Sequence, residues 1–180
     1  MKKALLIIDV QNDYFAGGKA ELFNPLKALK NIEKALALFR QKNLPVIYVQ
    51  HLNTKEGATF FLPDTEGVLI HKNITPQDNE VVVTKHAPCG FLGTNLREVL
   101  KNKEITEVVV CGMMSHMCID TTVRSCMDYG LQVTLLEDAC ATKNLVFRDK
   151  IIPAKTVHAV SMAALNGMFA QVISTEELDI

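Results

Sequence analysis

The chain lacks the features that would mark several common classes of protein. Lys and Arg total 19 against 20 Asp and Glu, interspersed to a formal net charge of -1, so no basic block exists to track a phosphate backbone and no nucleic-acid partner is expected. No stretch approaches membrane-spanning length. The apolar run Ala4–Ile8 is stopped by Asp9, too soon for the core of a secretion signal, so no membrane partner is expected. The five cysteines are odd in number and show neither paired metal spacing nor a disulfide framework, which fits a reducing, cytoplasmic compartment. There is no repeat, low-complexity tract or Gly/Ser linker. With 48% hydrophobic residues in 180, one domain spanning 1–180 is the simplest organisation. The first strand is not followed by Gly-x-Gly-x-x-Gly, which removes the usual dinucleotide cradle. No His-Glu-x-x-His run and no Asp-x-His at the end of the second strand occur, and His71, His86 and His158 show no metal spacing. Neither metal nor cofactor is expected.

Short Val- and Ile-rich runs instead alternate with longer helical patterns. Ala4–Val10 reads as a buried strand, and Pro25–Lys42 as a helix with Leu26, Leu29, Ile32, Leu36 and Phe39 on one face. Further strands are expected at Pro45–Gln50, Glu80–Thr84, Thr106–Cys111, Leu131–Leu136 and Ala170–Ile173. Further helices are expected after Thr94 as N-cap, over Cys118–Tyr129 before Gly130, and over Pro153–Met168. This alternation predicts a three-layer α/β/α, Rossmann-like fold with a mostly parallel sheet of about six strands joined by right-handed crossovers. The long segment Leu52–Asn79 is rich in turn formers and reads as a functional loop.

In such folds ligands bind outside the carboxyl ends of the strands, which directs attention to three strand ends. Asp9 follows Leu5–Ile8, close enough to a buried strand that its charge needs a partner, although Gln11-Asn12-Asp13 leaves room for a purely turn-making role. Lys85 follows Val81–Thr84 and would be a natural partner. Cys118 stands where strand gives way to helix, and a helix N-terminus together with a cation favours thiolate. Cys111 and Cys126 read as core residues and Cys140, beyond the fifth strand, as structural. Cys89, in His86-Ala-Pro-Cys89-Gly90, is the rival reactive thiol.

Three separated stretches resemble the isochorismatase-like cysteine hydrolases, which include nicotinamidases and N-carbamoylsarcosine amidohydrolases. They are Ile8-Asp9-Val-Gln-Asn-Asp-Tyr-Phe15, Lys85-His-Ala-Pro-Cys-Gly-Phe-Leu-Gly-Thr-Asn-Leu96 and Gly112-Met-Met-Ser-His-Met-Cys118-Ile-Asp-Thr-Thr-Val-Arg124, and the resemblance covers nearly the whole chain. It implies a catalytic triad of Asp9, Lys85 and Cys118, a cis peptide between Met113 and Met114, and an oxyanion hole from the backbone N–H groups of Met114 and Cys118. It further implies a small-molecule substrate and a homodimer or larger homo-oligomer. Two departures narrow the chemistry. Nicotinamidases of the family carry an Asp-x-His…His metal site where this chain reads Gln50-His51-Leu52-Asn53, and members that cleave isochorismate lack the cysteine. A small amide, ureide or related carbon–nitrogen substrate is therefore expected, turned over through a thioester.

Phe15, Gln50, His51, Phe91 and His116 lie on segments that should reach the same sheet edge and are candidate substrate-binding residues, with core packing as their alternative reading. His116 is two residues from Cys118, a spacing that does not bring helical side chains face to face. Two other functions compete: a thiol redox protein in which Cys89 or Cys126 resolves Cys118, and a non-catalytic small-molecule-binding member of the hydrolase fold.

Overall fold

In the computed structural model, which describes residues 2–180, strand β1 (Lys3–Ile8) is buried on both faces and explains the layering. Leu5 and Ile7 point into one apolar cluster with α1 (Pro25–Gln41), through Leu29, Ile32, Leu36 and Phe39. Ala4, Leu6 and Ile8 point into a second cluster with Leu96 and Leu100 of α2 (Leu96–Asn102), Val123 and Cys126 of α3 (Asp120–Asp128), and Met162 and Leu165 of α4 (Ala154–Leu165). Successive strand residues face opposite sides, so a strand between two helical layers must be apolar throughout. Among the described residues no helix is long and apolar enough to cross a membrane.

The remaining strands are β2 (Val46–His51), β3 (Val81–Lys85), β4 (Glu107–Met113), β5 (Gln132–Ala141), the pair β6 (Leu145–Phe147) and β7 (Lys150–Ile152), and β8 (Gln171–Ile173). Six of the eight strands form one sheet in the order β3-β2-β1-β4-β5-β8, every pair parallel, as the alternating pattern predicts. From β1 the chain moves outward to β2 and β3, then returns to place β4 on the other side of β1. The strand order reverses between β1 and β4, which opens a crevice at their carboxyl ends.

Gly112 is what lets β4 lie beside β1 there. It pairs with Ile8, adopts φ +128°, and sits at an irregularity in the β4–β5 ladder. A Cβ at this position would run into the Ile8 carbonyl oxygen, so glycine is required by close approach as well as by conformation.

Several elements depart from expectation for identifiable reasons. Strand β5 continues to Ala141 and contains Cys140, because Glu137 points outward and Asp138 is occupied by Thr175, so the polar pair does not end the strand. Asn95, not Thr94, is the N-cap of α2. Thr94 Oγ1 accepts the Leu96 N–H at 3.2 Å while donating to the Gly90 carbonyl at 2.7 Å. Helix α4 ends at Leu165, three residues before the expected end. The antiparallel pair β6–β7 was not foreseen. It turns at Arg148 with φ +54°, a conformation its sequence does not advertise.

Two outcomes are expected. Gly112→Ala should destabilise the protein by more than about 3 kcal/mol, read as a drop in the urea midpoint, because either β4 or β1 must shift. Stability should also fall in alkali. Burial pushes the Cys126 and Cys140 thiols from 9.0 to about 12, so between those limits the unfolded chain has lost protons that the folded chain retains. The stabilisation is fully present below pH 9 and declines as pH rises toward 12. Urea midpoints measured from pH 8 to pH 10.5 should decrease, and the slope should be shallower in Cys126→Val.

Candidate active site

The carboxyl edge of β1 carries Asp9, whose φ of +52° turns the chain out of the sheet, a left-handed conformation that aspartate tolerates better than most residues. Its N–H still donates to the Val49 carbonyl at 2.9 Å. Lys85 ends β3, two strands away from β1 and roughly 10 Å across the sheet at about 4.8 Å per strand. Only a long side chain can cover that distance. Lys85 runs back past the end of β2 and brings Nζ to 2.7 Å from Asp9 Oδ2, with both side chains fully buried.

Cys118 arrives from the other side of β1. After β4 the chain passes through the cis Met113–Met114 peptide into a π-helical turn, Ser115–Ile119, before α3 begins at Asp120. The nucleophile candidate therefore lies in a wide turn ahead of the helix rather than on its first residue. Its Sγ stands 3.3 Å from Lys85 Nζ. The structure thus brings together the three strand-end residues singled out in the sequence.

Electrostatics correct one expectation. Burial first, and the Asp9 carboxylate second, push the Cys118 thiol above its ordinary value, while the Lys85 ammonium pulls it down without prevailing. The resting site is a thiol beside an Asp–Lys ion pair, not a preformed thiolate. Neither oxygen of Asp9 has a hydrogen-bond partner of full geometry among the described residues, and its nearest counter-charge is the Lys85 ammonium. The Tyr14 phenol, held protonated by burial and then by the charge of Asp9, lies in the same field.

Asp9, His51 and Cys118 are the one group of potential metal-ligating side chains identified among the described residues, their donor atoms all within 4.8 Å of one another. They converge on Lys85 Nζ, which is 2.7 Å from Asp9, 2.8 Å from His51 Nδ1 and 3.3 Å from Cys118. The cation these donors hold is the protein's own ammonium.

Of the other candidates, His51 is hydrogen-bonded to this group, its Nδ1 2.8 Å from Lys85 Nζ. Phe15 is buried with its ring 4.4 Å from that of His71. The Gln50 amide donates to the Val68 carbonyl at 2.8 Å. Phe91 packs its ring 4.6 Å from Tyr129, at the far end of α3. His116, kept neutral by burial and then by Lys143, pairs Nδ1 with Thr142 Oγ1 at 2.6 Å. Among the rival thiols, Cys89 pairs with Ser125 Oγ at 3.3 Å and Cys126 is held protonated in the core.

Sequence reasoning undervalued Gln11 and Asp13, which read only as turn formers. The fully buried Gln11 clamps His51 on both sides. Its Oε1 accepts the His51 N–H at 2.8 Å, and its Nε2 donates to the His51 and Val68 carbonyls, each at 2.8 Å. Asp13 accepts from Phe61 N–H at 2.6 Å and from Lys19 N–H at 3.0 Å, with Gly67 so close that a Cβ there would overlap its carboxylate. These bonds, with Asn12 N–H to Leu69 O at 3.0 Å and His71 N–H to Val10 O at 2.9 Å, strap the 52–79 loop across the sheet edge. Phe61 is buried there against Tyr14, ring centroids 4.6 Å apart. The signal available was position: both residues lie in the short turn that follows Asp9.

A thiol, an ammonium and a carboxylate thus meet at the switch point of the parallel sheet. Residues 3–177 match the model of the isochorismatase domain, and the chain belongs to the isochorismatase family. It is 51% identical to the isochorismatase family protein YddQ of Bacillus subtilis over 98% of each chain. It superposes on the crystal structure of an isochorismatase from Pseudomonas putida KT2440 with a TM-score of 0.93 at 37% identity, over 98% of this chain and 90% of that one. It is also 32% identical to a streptothricin hydrolase of Streptomyces noursei over 79% of this chain, which spans about half, 51%, of that longer protein.

Asp13→Ala is expected to cost about 3 kcal/mol, because it strands the buried Phe61 N–H and frees the loop. Urea denaturation should report the loss, and limited proteolysis should cut first within residues 52–79.

Proposed function

We propose that this chain is a cysteine hydrolase that cleaves the carbon–nitrogen bond of a small amide, ureide or related substrate through a thioester. The observation that carries the reading is the buried Lys85 ammonium held between the Asp9 carboxylate and the Cys118 thiol, 2.7 and 3.3 Å away. Membership of a hydrolase family supports it, as does the streptothricin hydrolase among the relatives.

The chemistry follows from the charges. The Cys118 proton passes to Asp9 as the Cys118 sulfur bonds to the substrate carbonyl carbon, and the carbonyl π pair moves onto oxygen. Lys85 keeps the developing thiolate from being expelled into a buried, uncompensated state. The oxyanion is received by the backbone N–H groups of Met114 and Cys118, the donors that the family resemblance assigns. Collapse restores the carbonyl and breaks the carbon–nitrogen bond, and the nitrogen leaves with the proton from Asp9. A water molecule then gives its proton to Asp9 and attacks the thioester. Collapse of that adduct releases the acid, and the departing sulfur recovers its proton from Asp9.

A site this buried and this small in its charged lining fits a compact neutral substrate better than a peptide, and its edge is strapped by the 52–79 loop. Cys118→Ala should lower kcat/KM by about a thousandfold or more while leaving the fold intact by circular dichroism, and Asp9→Asn should lower it as much but also lower the urea midpoint, because the buried Lys85 loses its counter-charge. Intact-mass spectrometry after incubation with a panel of amides and ureides should reveal an acyl adduct that maps to Cys118. Turnover at the wild-type rate in Cys118→Ala would refute the scheme.

A further inference from the structure

An ammonium has three N–H bonds, and four acceptors surround Lys85 Nζ. His51 Nδ1 at 2.8 Å, the Ala87 carbonyl at 3.0 Å and Cys118 Sγ at 3.3 Å receive bonds of good geometry. Asp9 Oδ2, though nearest at 2.7 Å, lies off the hydrogen-bond directions and is paired by charge alone. The direction of the N–H that reaches sulfur is therefore set by the other two acceptors, His51 and Ala87. Were one removed, the ammonium would turn toward the unpaired Asp9 oxygens, whose charge makes them the stronger acceptors, and the bond to sulfur would weaken.

We infer that His51 is a positioning residue for the proposed hydrolysis: its neutral imidazole, unprotonated at Nδ1, aims the Lys85 ammonium at Cys118. This deepens the hydrolase reading and rests on it. Because the ammonium only donates, Nδ1 must accept, and the ring proton belongs on Nε2. The chain is built to hold this ring still. Gln11 grips the His51 backbone at its N–H and its carbonyl, each at 2.8 Å. Strand pairing sets His51 directly beside Lys85, and the Phe61 ring lies 5.9 Å away under the loop. His51 also stands 3.8 Å from Asp9 Oδ2, too far for a hydrogen bond, so Lys85 is its partner in the site. The order of support runs from Gln11 through His51 to Lys85 and then to sulfur.

Two kinds of measurement test this without depending on a known substrate. Nitrogen-15 NMR of histidine-labelled protein at pH 7.5, with the resonance assigned through His51→Asn, should show His51 as the neutral Nε2–H tautomer with Nδ1 accepting. An Nδ1–H tautomer or an imidazolium would overturn the assignment. Carboxamidomethylation of Cys118 by iodoacetamide should slow by about tenfold or more in His51→Leu and in His51→Gln, whose carbonyl reaches past the Nδ1 position. Most of the rate should return in His51→Asn, whose side-chain oxygen occupies that position. With any amide that the wild type hydrolyses, the loss should fall on kcat, with KM within about twofold of wild type. Wild-type alkylation in both His51→Leu and His51→Gln, or an Asn variant as slow as the Leu variant, would reduce His51 to packing and refute the inference even if the hydrolase reading stands. Conversely, absence of amide turnover in the wild type would remove the hydrolase reading, while the NMR and alkylation results would still report on His51.

Discussion

Two fully buried opposite charges, Asp9 and Lys85, impose the main constraint on this structure. Removing a carboxylate and an ammonium from water costs several kcal/mol apiece, and their attraction offsets this only when both are held in place. The surrounding construction is intelligible as that holding. Gly112 lets β4 close against β1 beside Asp9, β2 carries His51 to the ammonium, and the Ala87 carbonyl receives another of its protons. In the proposed hydrolysis, the incomplete hydrogen bonding of Asp9 is what leaves it able to take a proton. A carboxylate whose oxygens are fully bonded to the protein would have little basicity left for a thiol.

The same burial determines how the thiol behaves. At the surface, a cysteine near a lysine would carry a share of negative charge at rest. Here desolvation and the Asp9 carboxylate outweigh the lysine and keep the thiol protonated, so charge on sulfur arises only when the proton has somewhere to go. In the proposed hydrolysis such an arrangement couples activation of the sulfur to proton transfer, since the thiolate is the reactive form. It also separates Cys118 from the other buried thiols. Cys126 and Cys140 are held protonated as well, but without the Lys85 ammonium that stands 3.3 Å from Cys118.

Much of the fold is legible in the sequence because its strands are buried on both sides. Runs such as Ala4–Ile8 and Val108–Cys111 cannot face water on either side, and helices between them force parallel pairing. Legibility fails where polar or irregular residues carry the structure. Strand β5 continues through Glu137 and Asp138 because Thr175 satisfies the aspartate from elsewhere in the chain. The β6–β7 pair depends on a left-handed arginine. Cys118 lies in a π-helical turn, although the pattern of α3 extends the helix back to it. Within the site, Asp9, Lys85 and Cys118 were legible from their positions at strand ends. Gln11 and Asp13 were not, because their partners, His51, Val68 and Phe61, lie 40 to 57 residues away.

What the sequence alone determined is the layered α/β architecture and the three chemical groups at its carboxyl edge, because apolar periodicity dictates which segments are strands and each group sits where a strand ends. Only the tertiary structure decided how those groups behave. It set the protonated thiol, the off-axis carboxylate and the direction of the Lys85 ammonium, and it distinguished His51 from Phe15, Gln50, Phe91 and His116, which had equal claims in sequence. These properties depend on desolvation and on distances of about 3 Å between residues far apart in the chain, and both are created by folding.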